Sequence, residues 1–321
     1  MRKKLFLGAA LVLAVSLVCF GLLGFDIQNE DEVDPAIAQA QAKTAQFVDM
    51  VYRAHFTGDM SELKEYLEQK DTDGIVRDLM EKNRIRLGTP RVRRMEATGT
   101  LPFGDFTDKT ILLSATEGSI IYLVLPGMYT HCGSFDEQKY AATDPNQGCI
   151  ITANLDGVTY ETPSEWNNGV GFDKTVIRLE PNNRVSSWRL NWAQNSIMRW
   201  YQGWTIYSFL KLNLDPVSRW GPWRWYCSKT VWRVFKKAGL NVENAQYYNE
   251  NTEIVTNIMD NSVLFQLYKG LLIKLGIDPG VAQAMAYNKL INALDECITP
   301  DEIRFSGNLL LKGTWGGSEP Y

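Results

Sequence analysis

Residues 226–238 read YCSKTVWRVFKKA, and this stretch says most about the fold and chemistry of the chain. Its pattern predicts an amphipathic helix over residues 229–238, immediately after Cys227. A thiolate at a helix N-terminus is stabilised by unpaired backbone N–H groups and by the positive end of the helix dipole, which lowers the pKa of the cysteine. The stretch therefore predicts a cysteine nucleophile.

A candidate base lies upstream, near the end of the segment 118–133. The chain has two histidines, His55 and His131. His55 is far in sequence from Cys227 and lies in a region of helical pattern, so we interpret it as a surface or core histidine of a helix. His131 is therefore the candidate that takes the proton of Cys227.

Six landmarks follow one another along the chain. They are Gly118-Ser119, the Pro-Gly-x-x-Thr-His motif at 126–131, the strand at 149–158, Arg178-Leu179, Tyr-Cys-Ser at 226–228, and Ile-Thr-Pro-Asp-Glu-Ile at 298–303. Their order and spacing resemble the circularly permuted branch of the NlpC-type papain-like cysteine peptidases and amidases, often called YiiX-like. In ordinary papain-like enzymes the Cys precedes the His, whereas here His131 precedes Cys227, as in the permuted branch.

The resemblance implies an α+β fold in which an antiparallel, barrel-like sheet packs against the nucleophile helix. In this family a Glu just before an Ala, on the strand after the His, orients the imidazole. Thr152 stands at that position here, before Ala153. Asn154 shares the strand face with Thr152, and its amide oxygen can accept the imidazole N–H. We therefore predict Asn154 as the third catalytic residue, with Thr152 as the alternative.

Short β-rich runs separated by Gly, Pro, Asp or Asn begin near residue 110 and predict a meandering antiparallel sheet. The predicted strands cover 111–113, 119–125, 131–135, 149–153, 158–162 and 175–179. The predicted helices cover 186–210, 229–238, 251–274 and 281–294. These patterns place an α+β catalytic domain at residues 101–321.

A helical arm precedes that domain at residues 26–100. Residues 36–56 carry an apolar stripe at helical period, formed by Ala40, Phe47, Val51 and Ala54. Two shorter helical patterns follow, and the second ends before Gly88. The sequence leaves open whether the arm is a spacer, a partner-binding element or packing for the catalytic domain.

The N-terminus predicts export. Arg2-Lys3-Lys4 precedes an uncharged apolar run at residues 5–25, which is longer than the core of a cleaved signal and close to the roughly 20 residues that cross a bilayer. We expect residues 1–25 to be a signal or membrane anchor, with everything after them outside the cytoplasm. The body is then anchored in the cytoplasmic membrane facing outward, or secreted to the periplasm or cell surface. Cleavage, or lipidation at Cys19, is the alternative to a retained anchor.

Composition describes a globular protein without a nucleic-acid partner. The formal net charge is −4, and hydrophobic residues make up 45% of the chain. The local run of arginines at 84–94 is interpreted as a solvated or ion-paired surface. The Cys and His spacing does not resemble a zinc site, so the sequence implies neither a metal nor another cofactor.

The remaining cysteines of the body have weaker claims to chemistry. Cys132 follows His131 on a predicted strand, so we expect its side chain to face away from the site. In an oxidising compartment Cys132 could pair with Cys149, and free buried thiols are an equal alternative. Cys297 carries no signal of its own.

Eight tryptophans fall between Trp188 and Trp232. Aromatic side chains this dense beside a nucleophile can form core, and they can also line a groove for glycan or acyl chains. We expect both roles. Trp223, Trp225 and the adjacent Tyr226 are the residues predicted to line the substrate cleft.

These observations together predict a cysteine hydrolase that cleaves amide bonds through a Cys227 thioester. The expected substrate is a peptidoglycan peptide. A second hypothesis keeps the same site but takes a lipid ester or N-acyl substrate, as a hydrolase or acyltransferase. A third hypothesis is a non-catalytic wall-binding module, and its support is the Thr152 substitution.

Overall fold

The computed structural model describes residues 34–71, 74–82, 100–116, 119–124, 127, 129–170, 173–207 and 218–316. The chain divides into two compact units, Met1–Ala38 and Gln39–Tyr321. The predicted signal or anchor at 1–25 lies outside the described residues. Within the described part of the chain, no helix is both long and apolar enough to cross a membrane.

The N-terminal helices are α1 (Pro35–Thr57), α2 (Ser61–Gln69) and α3 (Ile75–Lys82). The apolar stripe predicted for the first helix is buried along its length, from Ala40 to Ala54. From Gln39 onward these helices belong to the same compact unit as the sheet.

A six-stranded antiparallel sheet forms the centre of the second unit. The strands in chain order are β1 (Ile111–Thr116), β2 (His131–Phe135), β3 (Ile150–Asn154), β4 (Gly157–Glu161), β5 (Lys174–Pro181), the short strands β6 (Ile206–Tyr207) and β7 (Arg224–Trp225), and β8 (Leu309–Trp315). The order in the sheet is β4-β3-β2-β1-β5-β8, while β6 and β7 form a separate parallel pair. The α+β class and the antiparallel sheet are as predicted.

Two parts of this sheet differ from the prediction. Residues 120–123 form a 3₁₀ turn, not a strand, and the Ser119 side chain accepts the N–H of Ile121 at its start. The last strand, β8, was not predicted, and it pairs with β5 along its whole length apart from a shift of register after Arg178.

The later helices are α4 (Pro163–Asn167), α5 (Ser187–Tyr201), α6 (Cys227–Lys237), α7 (Tyr247–Glu250), α8 (Thr252–Asn261), α9 (Val263–Lys274), α10 (Pro279–Glu296) and α11 (Pro300–Arg304). The predicted helix at 251–274 is two helices, because Ser262 takes an extended conformation between α8 and α9 and its hydroxyl donates to the carbonyl of Val124. Helix α5 ends at Tyr201, before Gly203, whose φ of 72° favours glycine.

Both faces of the sheet are covered. Side chains alternate along β2, so Phe135 joins a core cluster with Phe103, Phe106 and Trp166 on one face. Ser134 lies on the other face, where Gln194 of α5 donates to its hydroxyl (3.2 Å). Helix α6 packs against β2 and β3, which brings the start of α6 close to the strand that begins with His131.

Candidate active site

Cys227 is the first residue of α6, so its thiol lies at the positive end of the helix. It is 6% exposed. The amide N–H groups of the first helical turn have no partners within the helix, and they surround the position where the nucleophile is placed. The structure thus puts Cys227 in the environment that the sequence predicted for it.

The segment before Cys227 is fixed by a buried lysine. The side chain of Lys229 is buried, and its ammonium group donates to the carbonyl oxygens of Ser218 (2.9 Å), Gly221 (2.7 Å) and Arg224 (2.7 Å). An ammonium group has three donors, and here each has an acceptor. These three bonds hold the loop against α6 and so define where Cys227 begins the helix.

Residues 298–301 and the segment before His131 also lie close to the start of α6. The Ser228 hydroxyl donates to the carbonyl of Ile298 (2.6 Å), and the Tyr226 hydroxyl accepts the Ile298 N–H (3.1 Å). Asp301 Oδ1 accepts the backbone N–H of Tyr129 (3.1 Å), two residues before the histidine. Three of the sequence landmarks are therefore in contact with one another around the thiol.

His131 is bound by a carboxylate that the sequence analysis missed. Its Nε2 lies 2.9 Å from Glu161 Oε2, and the two side chains are 15% and 13% exposed. Phe135 of β2 pairs with Ile150 of β3, and Ile150 pairs with Glu161 of β4. Since alternate residues share a face, His131 and Glu161 lie on the same face of the sheet.

A tryptophan and a glycine complete this arrangement. Trp166 Nε1 donates to the same Glu161 oxygen at 2.9 Å. Gly133 follows His131 by two residues on β2, and a Cβ there would lie 2.3 Å from Ile150 Cγ2 and 3.2 Å from Trp166 Cζ2. The missing side chain at Gly133 therefore leaves the space in which Trp166 reaches the His131 and Glu161 pair.

The predicted third residue, Asn154, needs correction. Asn154 ends β3 at the turn to Gly157, and its side-chain oxygen accepts the N–H of Asp156 (3.0 Å). An asparagine at the start of a turn commonly bonds the backbone two residues later. The alternative, Thr152, lies 3.5 Å from His131 Nε2, but its hydroxyl donates to the Cys132 carbonyl at 2.7 Å. Glu161, at the shorter distance and with a charge, is the partner of the imidazole.

The charges in this cluster favour an ion pair between His131 and Cys227. Burial lowers the pKa of His131, but the negative charges of Glu161 and Cys227 outweigh it and raise that pKa to about 10. The pKa of Cys227 lies well below its ordinary value because the Cys132 thiol and His131 donate to the sulfur, against the opposing effect of burial. Burial raises the pKa of Glu161, but His131 and then Trp166 bring it below its ordinary value. Thiolate, imidazolium and carboxylate are therefore the favoured forms near neutral pH.

Cys132 was expected to face away from the site, and the structure corrects this. The thiol and the backbone N–H of Cys132 lower the pKa of Cys227, so Cys132 lies beside that sulfur. The reason is that α6 packs on the sheet face to which Cys132 points, while His131 occupies the first position of β2. Cys132 and Cys149 are buried and form no disulfide, so the free-thiol alternative describes these two residues.

The C-terminal half of α1 covers this cluster. Tyr52 and Phe56 both pack edge-on against the ring of Tyr207, with centroids 5.2 and 4.9 Å apart. Burial and then the negative charge of Cys227 raise the pKa of Tyr52 well above its ordinary value. The helical arm therefore includes packing for the unit that carries Cys227 and His131, one of the roles that the sequence left open.

His55 also lies close to the site, although it is far from it in sequence. Its Nδ1 is 3.4 Å from the hydroxyl of Ser119. Burial lowers the pKa of His55 to about 4, and the positive charge of His131 acts in the same direction. His55 is therefore a neutral neighbour of the charged His131 at physiological pH.

Two of the three residues predicted to line the substrate cleft are buried. Trp225 packs its ring 4.4 Å from that of Tyr201 and donates from Nε1 to the carbonyl of Pro222 (2.7 Å). Tyr226 is 1% exposed and bonds within the protein. Trp223, in contrast, is 60% exposed. Trp225 and Tyr226 support the nucleophile helix from within the core.

The cluster contains sulfur, imidazole and carboxylate groups, but within the described ranges no three His, Cys, Asp or Glu side chains are arranged to hold a metal ion. No family model matches the chain, and neither a curated protein nor a solved structure matches it. The chemistry of Cys227, His131 and Glu161 is therefore the basis on which its function is inferred.

Proposed function

We propose that this protein is a cysteine hydrolase that cleaves amide bonds, with Cys227 as nucleophile, His131 as base and acid, and Glu161 as the residue that orients His131. The observation that carries the proposal is the pair of His131 Nε2 and Glu161 at 2.9 Å, next to the Cys227 thiol at the start of α6, whose pKa His131 lowers. A nucleophile, a base within reach of it and a third group that fixes the base form the unit required for covalent catalysis. The permuted papain-like fold is part of this proposal.

The first half-reaction begins from the ion pair. The Cys227 thiolate attacks the carbonyl carbon of the substrate, and the C=O π electrons move to the oxygen. Unpaired N–H groups at the start of α6 are placed to stabilise that oxyanion. The intermediate then collapses as the C–N bond breaks, and the His131 imidazolium gives its proton to the leaving amine. A thioester on Cys227 remains.

The second half-reaction releases the acid. Neutral His131 takes a proton from water, and the resulting hydroxide attacks the thioester carbonyl. Collapse breaks the C–S bond, and Cys227 leaves as a thiolate beside the imidazolium. Since Glu161 holds Nε2, Nδ1 is the ring nitrogen that exchanges protons in both steps. The carboxylate remains ionised throughout and stabilises the imidazolium whenever it forms.

The proposed substrate class is a peptide of the cell wall, and the proposed location is outside the cytoplasm, through the predicted signal or anchor at 1–25. A lipid ester or N-acyl substrate is the second candidate, because an acyl thioester on Cys227 forms equally from these bonds. The exposed tryptophans around Trp223 are the observation that favours it. The non-catalytic wall-binding alternative relied on Thr152 in place of a carboxylate, and Glu161 removes that support.

The test incubates the purified full chain with peptidoglycan fragments and, separately, with phospholipid vesicles, and identifies products by mass spectrometry. Release of amine and acid fragments from the wall peptides is expected. Cys227→Ser and His131→Ala should each lower turnover by about four to six orders of magnitude, and the double variant by little more, because the two residues act as one unit.

Asn154→Ala is the matched control, because it alters the same sheet away from His131 Nε2, and it should retain activity. Products from phospholipid alone would move the proposal to the lipid substrate. Full turnover by Cys227→Ser, with native circular dichroism, would overturn the cysteine-hydrolase proposal for either substrate.

A further inference from the structure

Six of the ten tryptophans of the chain lie at the protein surface, each between 54% and 77% exposed. They are Trp188, Trp192, Trp200, Trp204, Trp220 and Trp223. Tryptophan is normally largely buried, so a group of exposed indoles indicates an interaction surface. We call this set the tryptophan face. None of the six takes part in the proposed catalytic unit.

Contacts tie three members of the tryptophan face to α6 and to the β6–β7 pair. Trp192 of α5 lies under Lys237 of α6, with the ammonium 4.9 Å from the ring centroid. One turn earlier on α6, Arg233 lies 5.5 Å from the ring of Trp220. Near β7, the carbonyl of Trp223 accepts the N–H of Ile206 (2.9 Å), and Ile206 is itself 66% exposed.

The segment that carries the tryptophan face is basic in an otherwise acidic protein. Residues 181–242 contain ten Lys and Arg and one Asp, although the whole chain has a net charge of −4. Of these cations, Lys229 is buried and Arg219 pairs with Glu243, whereas Arg199, Lys236 and Lys237 are exposed. Exposed tryptophans together with exposed positive charge are complementary to a lipid surface, which has anionic headgroups above an apolar layer.

We infer that the tryptophan face docks on the surface of an anionic lipid bilayer. Indole rings favour the interfacial region, where the apolar ring enters the acyl boundary and the N–H stays near the headgroups. Lys and Arg side chains on the same face bind the anionic headgroups. Docking in this way holds the catalytic body against the membrane through a contact separate from the predicted anchor.

Two other partners fit the observations less well. A second copy of the chain would place the basic face against itself in a symmetric dimer, so like charges would oppose one another. A neutral glycan would leave the positive charge without a partner. An anionic lipid surface satisfies both the rings and the charges. The inference is independent of the proposed hydrolase activity, and it can be tested without turnover.

The test uses tryptophan fluorescence of the full chain reconstituted in vesicles. The segment 1–165 contains no tryptophan, so the predicted anchor does not contribute to the signal. Vesicles are made of phosphatidylglycerol or of phosphatidylcholine, each with brominated acyl chains, which quench only rings that enter the bilayer. We expect a blue shift and strong quenching in the anionic vesicles, weak quenching in the zwitterionic ones, and loss of the difference at high salt.

The decisive variant reverses three exposed charges of the face, Arg199→Glu with Lys236→Glu and Lys237→Glu. Quenching in anionic vesicles should fall to the level seen in zwitterionic vesicles. A matched control reverses two exposed lysines elsewhere, Lys64→Glu with Lys312→Glu, and should leave the quenching unchanged. Trp200→Ser with Trp204→Ser should lower the quenched fraction even if the charge variant fails to fold.

Several results would overturn the inference. They are equal quenching in both lipids, no quenching in either, and full quenching of the charge variant. A blue shift produced by an anionic wall polysaccharide but not by vesicles would assign the face to a glycan. A blue shift that depends on protein concentration without lipid would assign it to a second copy of the chain.

Discussion

The indole ring of Trp166 lies nearly parallel to the imidazole ring of His131, with centroids 5.5 Å apart and planes 27° apart. The same indole donates to the carboxylate that binds the imidazole. Trp166 is 1% exposed and comes from α4, whose start is fixed by a capping box between Thr162 and Glu165. One side chain thus shields the imidazole and also holds its acceptor in place.

Replacing Trp166 with Phe separates these two roles. The ring remains, but Glu161 loses the indole donor, so its pKa should rise and its ion pair with His131 should weaken. We expect turnover to fall about tenfold, in line with the loss of one hydrogen bond to a charged group. The acid limb of the pH profile should move to higher pH. Trp166→Leu, which removes the ring as well, should lower turnover further. Equal effects of the two variants would mean that the aromatic ring has no role, and full activity of Trp166→Phe would mean that the hydrogen bond has none.

Glu161→Gln tests the proposed third catalytic group. The amide keeps the shape of the side chain but removes the charge that raises the pKa of His131. The thiolate of Cys227 then loses part of its stabilisation, so its pKa should rise, and turnover should fall by roughly 10²- to 10⁴-fold. The pH dependence of iodoacetamide alkylation measures the thiol pKa without a substrate. Thr152→Val is the matched control, and a larger pKa change in that variant would return the role to Thr152.

The pH dependence of the wild-type protein follows from the same charges. The folded pKa of His131 is raised to about 10, so the imidazolium persists from acid through neutral pH and is lost as pH rises through about 10. The pKa of Cys227 is lowered, so its thiolate persists into mildly acid solution. Alkylation of Cys227 should therefore be nearly constant from about pH 6 to 9, where an ordinary thiol accelerates steeply. Hydrolysis should decline above about pH 10, since the leaving amine then lacks a proton donor. An ordinary thiol titration near pH 8.5 would contradict the ion pair.

Cys132 supplies the next test. Its thiol is the main donor that lowers the pKa of Cys227. Cys132→Ala removes that donor and should raise the Cys227 pKa, whereas Cys132→Ser keeps a hydroxyl donor and should restore the low value. Cys149→Ala controls for the loss of a buried thiol from the core, and it should leave the Cys227 pKa unchanged. If the Ala and Ser variants at Cys132 titrate alike, the thiol contact has no electrostatic effect.

The cover formed by α1 predicts selective access to the nucleophile. Phe56 packs against Tyr207, and burial, Tyr52 and the negative charge of Cys227 raise the pKa of Tyr207 well above its ordinary value. We therefore expect Cys227 to react with small iodoacetamide far faster than with a bulky maleimide. Phe56→Ala should bring the rates of the two reagents closer together, because it opens a path for the bulky maleimide to Cys227. Arg53→Ala, on the same helix but paired with Glu62 of α2, should leave the ratio unchanged. Equal rates with both reagents in the wild-type protein would show that the cover is open in solution.

His131 was predicted as the partner of Cys227 because the chain has two histidines and because the order of the landmarks resembles the permuted family. Glu161 was not predicted. The sequence pointed to Asn154 through alternation along one strand, but the turn at 154–157 uses that side chain for its own backbone. Glu161 was reachable only through the register of β4 against β3, and register depends on where the hairpin turns. The turn signal of Asn154 followed by Gly157 could have given that register.

Contacts from distant segments were also invisible in the sequence. Tyr52 and His55 come from a helix that lies far from Cys227 along the chain, and helical periodicity shows which face is buried but not what covers it. The sequence shows a high density of tryptophans, but Trp225 is buried through contacts with Tyr201 and with the carbonyl of Pro222, whereas Trp223 is exposed. Burial is decided by tertiary contacts, which local composition does not encode.

The position of α1 has a practical consequence for the choice of expression boundaries. A fragment starting near residue 101 looks self-contained in the sequence, yet it would lack Tyr52, His55 and Phe56. Tyr207 would lose its two aromatic neighbours. We expect Cys227 and His131 then to become accessible to water. Solvent would then weaken the charge interactions that set the pKa values of the thiol and the imidazole. Kinetics from such a truncated protein would therefore describe a more open and less activated thiol than that of the intact chain.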